Sequence, residues 1–439
     1  MTVLSHISLG FWKWTAICQE RRMNNPHARS TSHVEHILPS GVGPNLWHFE
    51  ELEETFDNGG DLICFSHLRW DFVYQRPQHL MSRCARERRV FFVEEPVFRS
   101  GPPALALRVV ESGVCVVVPE IPDSASPSEF NGILIGLMDD LYSRCGIKDS
   151  TLWYYAPMAR SFTQHLPSQA IVFDCMDELS LFKDAPATIR EAELELMSKA
   201  DVVFTGGVSL YEAKRHLHKN IYAVPSSIDV LHFHRARMLP QDAGNLKDIP
   251  HPRLGFAGVI DERLDQELLD ELSRTHPEWQ FIMIGPVVKV DPAALPHRGN
   301  IHYLGQQPYS ELPAYLAGLD VALLPFARNQ STRYISPTKT PEYLAAGRPV
   351  VSTSIRDVVR PYGERELVRI ADAPVDFADA ISAALQDASD PAVYSGWLAE
   401  VDAFLSHMSW DRTWMYMMEL LDKAIAKREV AVRSHAAMP

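Results

Sequence analysis

Cysteine is scarce and widely spaced, with six residues (Cys18, Cys64, Cys84, Cys115, Cys145 and Cys175) scattered through 439. Three of them, Cys64, Cys115 and Cys175, fall inside apolar runs, so the pattern excludes a disulfide framework and reads as reduced core thiols. Long apolar runs are missing too. No stretch approaches the roughly 20 residues that a bilayer-spanning helix needs, and the first residues lack the basic segment and clean apolar run of a secretory signal. The chain is therefore expected to be cytoplasmic. Positive charge is in deficit, with 42 Lys and Arg against 56 Asp and Glu, a formal net charge of −14. A nucleic-acid partner is excluded on that ground, since backbone phosphates require a basic footprint. No Asp-x-Asp stands at a strand end and no His, Cys and Glu cluster has metal-ligand spacing, so the expectation is chemistry with no metal and no resident cofactor.

What is present, 46% hydrophobic and 22% charged residues, suits a globular chain of two α/β domains. Residues 1–60 are polar and weakly patterned. Ile7, Leu9, Phe11, Trp12, Trp14 and Ile17 stand within a poorly ordered leader; the alternative is an interfacial helix that would associate the chain peripherally with the inner face of the membrane. Short apolar β-rich runs then alternate with helical patterns over 61–225, from Leu62–Ser66 to Ile221–Val224, which is how βαβ units around a parallel sheet read. Residues 226–252 lose the strand pattern and form a linker rich in His, Arg and Pro. A second series occupies 253–400, and 401–439 are a helix and tail in which Trp414, Met417, Met418, Leu421 and Ile425 make one apolar face.

The most informative segment is Ser336-Pro337-Thr338-Lys339-Thr340-Pro341-Glu342. Ser336 suits an N-cap and Pro337 the first helical position, which puts Lys339 in a first turn where the macrodipole is already positive. A cation there calls for an anion. Free backbone N–H groups, the Thr338 hydroxyl and the Lys339 ammonium together suit a diphosphate, and Glu342, one turn on, suits vicinal hydroxyls attached to it. An ordinary solvated Lys–Glu pair is the alternative. Gly258, Gly285 and, past Gly305, Gln306 follow strands of the same series, and ligands of doubly wound sheets bind beyond the carboxyl ends of the strands.

The ordered set Pro225-Ser226-Ser227-Ile228-Asp229, Leu254-Gly255-Phe256-Ala257-Gly258, Ile282-Met283-Ile284-Gly285-Pro286, Asn300-Ile301-His302-Tyr303-Leu304-Gly305 and the Glu342 helix resembles the GT-B nucleotide-sugar glycosyltransferases of group 1, in the variety that builds envelope polysaccharides. The likeness runs from about Asp61 to Leu421. It implies an α/β, GT-B architecture: two Rossmann-like domains facing across a cleft, the nucleotide-sugar donor on the second and a glycan or lipid-linked glycan acceptor on the first, with a C-terminal helix returning to the first. Glu342 matches the ribose-binding member of the family's glutamate pair, Arg263 its cation after Gly258, and Tyr334 stands where the partner glutamate would be.

On the first domain, the loop Ser66-His67-Leu68-Arg69-Trp70-Asp71 and the following Arg76 carry dense polar chemistry past a strand end. His67 and Asp71 are candidates to position or deprotonate an acceptor hydroxyl, Arg69 and Trp70 to contact the acceptor, and Arg76 to hold the phosphate of a lipid-linked acceptor. The alternative is that these residues only fix the loop. Asp177, after another strand, is the candidate general base if configuration inverts. If configuration is retained, the resemblance implies front-side attack with the departing phosphate taking the proton. Two rivals stay open on sequence grounds: a nucleotide-sugar epimerase or hydrolase, and a bilobal binding protein.

Overall fold

The computed structural model describes residues 60–240 and 244–436, so the leader and its two readings lie outside the described residues. The apolar runs become two sheets. The first contains β1 (Asp61–Phe65), β2 (Val90–Val93), β3 (Val97–Arg99), β4 (Ala104–Val109), β5 (Cys115–Pro122), β6 (Ser150–Tyr154), β7 (Ala170–Cys175), β8 (Val202–Thr205) and β9 (Ile221–Ala223). Their order is β3-β5-β2-β1-β6-β7-β8-β9, all parallel, with β4 antiparallel on β5. The second contains β10 (Arg253–Ala257), β11 (Gln280–Ile284), β12 (Ile301–Gly305), β13 (Val321–Leu324), β14 (Val350–Ser352) and β15 (Arg369–Ile370), in the order β12-β11-β10-β13-β14-β15 and parallel throughout. In each sheet the strand order reverses beside the first strand, at β1/β6 and at β10/β13, and a cleft opens at such reversals. The architecture is GT-B.

Burial on both faces explains why these strands read as continuous apolar runs rather than alternating ones. Leu62, Ile63 and Cys64 are completely enclosed, as are Val321, Ala322 and Leu324. One face of the first sheet is covered by the C-terminal helix Trp410–Ala436, whose Trp414, Met417 and Leu421 join the core of Cys64, Phe92, Trp153 and Phe204. Trp414 lies 6.2 Å from the Trp153 ring. No helix of the described residues is long and apolar enough to cross a membrane.

The stretch after β9 is partly helical and packs on the second domain. Val230–His234 is helical, Phe233 is buried in the second core, and Arg237 bonds Ala345 O at 2.8 Å while gripping both Asp402 oxygens at 2.7 and 2.9 Å. A cation on the last carbonyls of the helix Lys339–Ala345 complements its dipole and fixes that element from behind.

Candidate active site

Between the carboxyl ends of the two sheets lies a cavity of about 400 Å³. Gly258, Arg263, Gly285, Gln306, Ser336, Thr338, Lys339 and Glu342 line it from the second domain, and Trp70, Asp71, Arg76 and Asp177 reach it from the first. Local packing makes room for the charged groups. Tyr343, fully buried, accepts the Ala257 N–H at 2.7 Å through its hydroxyl, which pins the helix Lys339–Ala345 to the end of β10. Lys339 then passes directly over the backbone of Gly258, where a Cβ would overlap its Cε. Gly285, at φ +142°, lies against the Gly258 carbonyl in a conformation reserved for glycine.

Ser336 does not cap the helix. The helix starts at Lys339, with Thr338 at the N-cap and no side-chain cap bond, while Ser336 packs at the domain interface, where a Cβ on Gly207 would come within 2.8 Å of it. Thr340 N–H bonds Pro337 O at 3.2 Å and Glu342 N–H bonds Thr338 O at 3.4 Å. The N–H groups of Thr338 and Lys339 precede those first bonds, so they and the Thr338 hydroxyl are left for a ligand. The Lys339 ammonium makes no hydrogen bond or ion pair among the described residues. Burial, aided by Arg263, pushes its pKa below the ordinary lysine value, with Glu342, Asp261 and Asp177 pulling the other way.

Arg263 is held in place by Asp261, which accepts from Nε at 3.0 Å and Nη2 at 2.6 Å. Its other face meets the Phe182 ring of the first domain at 5.4 Å. Gln306 donates to Phe72 O across the cleft. Glu342 has its pKa raised from 4.5 to about 7 by burial, with Lys339 opposing. Asp177 goes from 3.8 to about 6, again through burial first, with Arg263 opposing and Asp261 adding to the rise. The folded chain thus retains protons that the unfolded chain loses near pH 4, so the ligand-free protein should lose stability as pH rises from about 4 to about 7. Urea midpoints at about pH 5 and pH 7.5 should differ in that direction, and Glu342→Gln should flatten the difference; an unaltered slope in the variant would remove Glu342 as its source.

Several first-domain candidates take other places. The Arg76 guanidinium is 1% exposed and is consumed by Asp174, at 2.8 to 3.1 Å, and by Val224 O at 2.8 Å, so it is a core ion pair and cannot hold an acceptor phosphate. Trp70 packs its indole on Phe92 at 5.1 Å in the core, so only an edge of it borders the cleft. Asp71 is an exposed residue at the mouth, paired with Arg108, where a carboxylate lacks the enclosure a base needs. Arg69 is tied to Glu94 Oε2 at 2.9 Å and Glu95 O at 2.6 Å. His67 and Arg69 face a second, smaller pocket next to the first. Burial, reinforced by Lys289, lowers the His67 pKa from 6.5 to about 4, so it is neutral at physiological pH. Tyr334 packs against the first domain's core and lines a separate groove with Arg328 and Arg333.

Sequence reasoning missed Tyr309, whose buried hydroxyl has no partner among the described residues and whose ring stacks on His232 at 4.4 Å beside Glu342. It also missed Phe182 and Lys289. Only the Gln306-Gln307-Pro308-Tyr309 run after a strand end hinted at the first.

Residues 251–387, the stretch carrying Gly258, Lys339 and Glu342, match the family model described as glycosyl transferases group 1. Over that stretch the chain is similar to this family. Over 260 residues it is 26% identical to TuaH of Bacillus subtilis (strain 168), named a teichuronic acid biosynthesis glycosyltransferase, covering 54% of this chain and 64% of that one. The chain thus spans somewhat under two thirds of that relative. Among solved structures it is similar to a sucrose-phosphate synthase from Thermosynechococcus elongatus, with TM-score 0.63, 15% identity, 84% of this chain and all of that one covered. It is also similar to the Anabaena protein HepE in complex with UDP and glucose, with TM-score 0.56, 10% identity and 83% and 100% coverage. At such identities these structures establish the shared fold alone.

Proposed function

We propose that the protein is a glycosyltransferase that moves a sugar from a nucleotide diphosphate donor to a glycan or lipid-linked glycan acceptor in cell-surface polysaccharide synthesis. The observation that carries this reading is Lys339: a largely enclosed, unpaired ammonium, crossing a glycine, in a cleft it shares with Glu342. A half-buried cation without a partner is held at a cost that a ligand anion would offset. The diphosphate lies on the Thr338 and Lys339 N–H groups and the Lys339 ammonium, with Arg263 behind, and Glu342 receives the ribose hydroxyls. These cations supply the charge that a metal provides elsewhere, so transfer proceeds without one. Teichuronic acid in the name of TuaH and UDP in the Anabaena complex support the polysaccharide and nucleotide parts of the reading.

The reaction retains configuration. The acceptor oxygen bonds to the anomeric carbon from the face that the diphosphate leaves, the carbon–oxygen bond to phosphate breaks, and the acceptor proton passes to the departing phosphate oxygen. Lys339 and the adjacent N–H groups stabilise the charge that builds there. Asp177, facing Arg263 and Lys339, borders the reacting centre from the acceptor side. A thermal-shift screen of UDP, ADP, GDP and their sugars tests the reading: a ligand at a hundred times Kd adds about 2.7 kcal/mol of stability. A flat response to every nucleotide would refute it.

A further inference from the structure

Beside the donor cleft lies a second cavity, of about 120 Å³, closed by both domains. His67, Arg69, Met158, Asp177 and Phe182 line it from the first, and Asp261, Glu262, Arg263 and Lys289 from the second. Asp177, Arg263 and Phe72 line both cavities, so the two adjoin at the candidate reacting centre. The second exists because the domains meet there. Phe182 is taken between Arg263 at 5.4 Å and Lys289 at 5.1 Å, and the next residue, Lys183, gives its N–H to Glu262 Oε1 at 3.3 Å and its ammonium to Lys289 O at 3.4 Å.

Two polar atoms of this lining are buried without a hydrogen-bond partner among the described residues: His67 Nδ1 and Glu262 Oε2. Each such atom forfeits its hydration until a ligand supplies a bond. A carboxylate oxygen only accepts, whereas an imidazole nitrogen accepts or donates with its tautomer, so the missing ligand must present at least one O–H or N–H. Arg69, Arg263 and Lys289 stand in this lining against Glu95, Asp177, Asp261 and Glu262, so its cations are already matched by carboxylates and an anionic ligand would find no cation in surplus. Met158, Leu179, Ile189 and Val288 supply apolar walls. Hydroxyls set on a compact carbon frame meet all of these demands.

We propose that this cavity seats an uncharged sugar ring, the residue of the acceptor that attacks the donor, with His67 and Glu262 bonding its hydroxyls and one further hydroxyl directed past Asp177 into the donor cleft. The proposal rests on the transfer reading above and adds its acceptor: a neutral sugar end, held by a residue from each domain, so that the acceptor seat is complete only when the domains are together. Glu262 and Lys289, from the donor domain, thereby help select the acceptor.

Saturation-transfer NMR tests it on the full chain, with glucose, galactose, N-acetylglucosamine and glucuronate as probes, each with and without UDP, ADP or GDP. At least one neutral sugar should respond. Glu262→Gln keeps the Lys183 contact, gives up the loose 3.9 Å pairing with Lys289 and replaces the unpartnered acceptor with a donor, so it should weaken that sugar about tenfold. Met158→Trp should fill the cavity and abolish the signal. Nucleotide affinity by calorimetry should stay within about twofold in both variants. A sugar response indifferent to both variants, or one from glucuronate alone, would overturn the proposal. A wild-type chain that binds a nucleotide diphosphate but no sugar would overturn this cavity's role and leave the transfer reading standing; one that binds sugar but no nucleotide would do the reverse.

Discussion

Lys339→Ala should weaken nucleotide diphosphate binding about a hundredfold while changing nucleoside binding no more than about twofold, as measured by calorimetry. A charge-assisted bond to phosphate contributes about 1.5–3 kcal/mol, and the upper end corresponds to roughly a hundredfold in Kd. The upper end applies because the half-buried ammonium is disfavoured by its surroundings and no protein group bonds it. The nucleoside lacks the phosphates, so it does not sense the loss. Stability separates this outcome from simple damage to the fold. A cation whose pKa is driven down by burial is held in the folded chain against its preference, and Lys339 bonds nothing that would collapse without it. The alanine variant should therefore unfold at the same or a higher urea concentration than the wild type. Equal losses for nucleotide and nucleoside, or a fall in stability, would contradict the phosphate role.

Much of this arrangement is legible in the chain because the governing rules are local. Completely buried parallel strands must be apolar along their length, so Leu62–Ser66, Phe281–Ile284 and Val321–Leu324 announce themselves. The edge strands β3 and β4 do not: they flank Gly101-Pro102-Pro103, and half their side chains face solvent, which blurs the pattern. The donor rim was readable because strand ends and glycines mark it. What sequence could not give is partnership at long range. Ser336 looks like a helix cap until Gly207, 129 positions earlier, is found against it. The second cavity is assembled from six separate strand-end loops of two domains, so no spacing within the chain encodes it.

Arg76 shows the same point with the largest effect on stability. In the sequence it stands beside a helix start, where an arginine is well placed for an anion; in the fold that anion is Asp174, 98 positions away at the end of β7. The pair is sealed by the C-terminal helix, with Met417 Sδ 4.0 Å from Nη2, and the remaining guanidinium donor is satisfied by Val224 O. Water has no access: side-chain exposures are 1% and 0%. Removing one partner leaves an uncompensated charge in that interior, which costs about 3–5 kcal/mol, whereas replacing both by apolar groups of similar volume is often nearly neutral. Asp174→Ala should therefore lower the urea midpoint sharply, and Arg76→Met with Asp174→Leu should recover much of the loss. An acceptor-phosphate role for Arg76 requires the opposite pattern, with Arg76→Met leaving stability intact and abolishing transfer. Because α/β strands β1, β6 and β7 share this core with the returning helix, an unpaired charge there should also loosen Trp410–Ala436 from the first domain. Hydrogen exchange along that helix should rise in Asp174→Ala and return toward the wild-type level in the double variant, a recovery that a ligand-binding arginine would not produce.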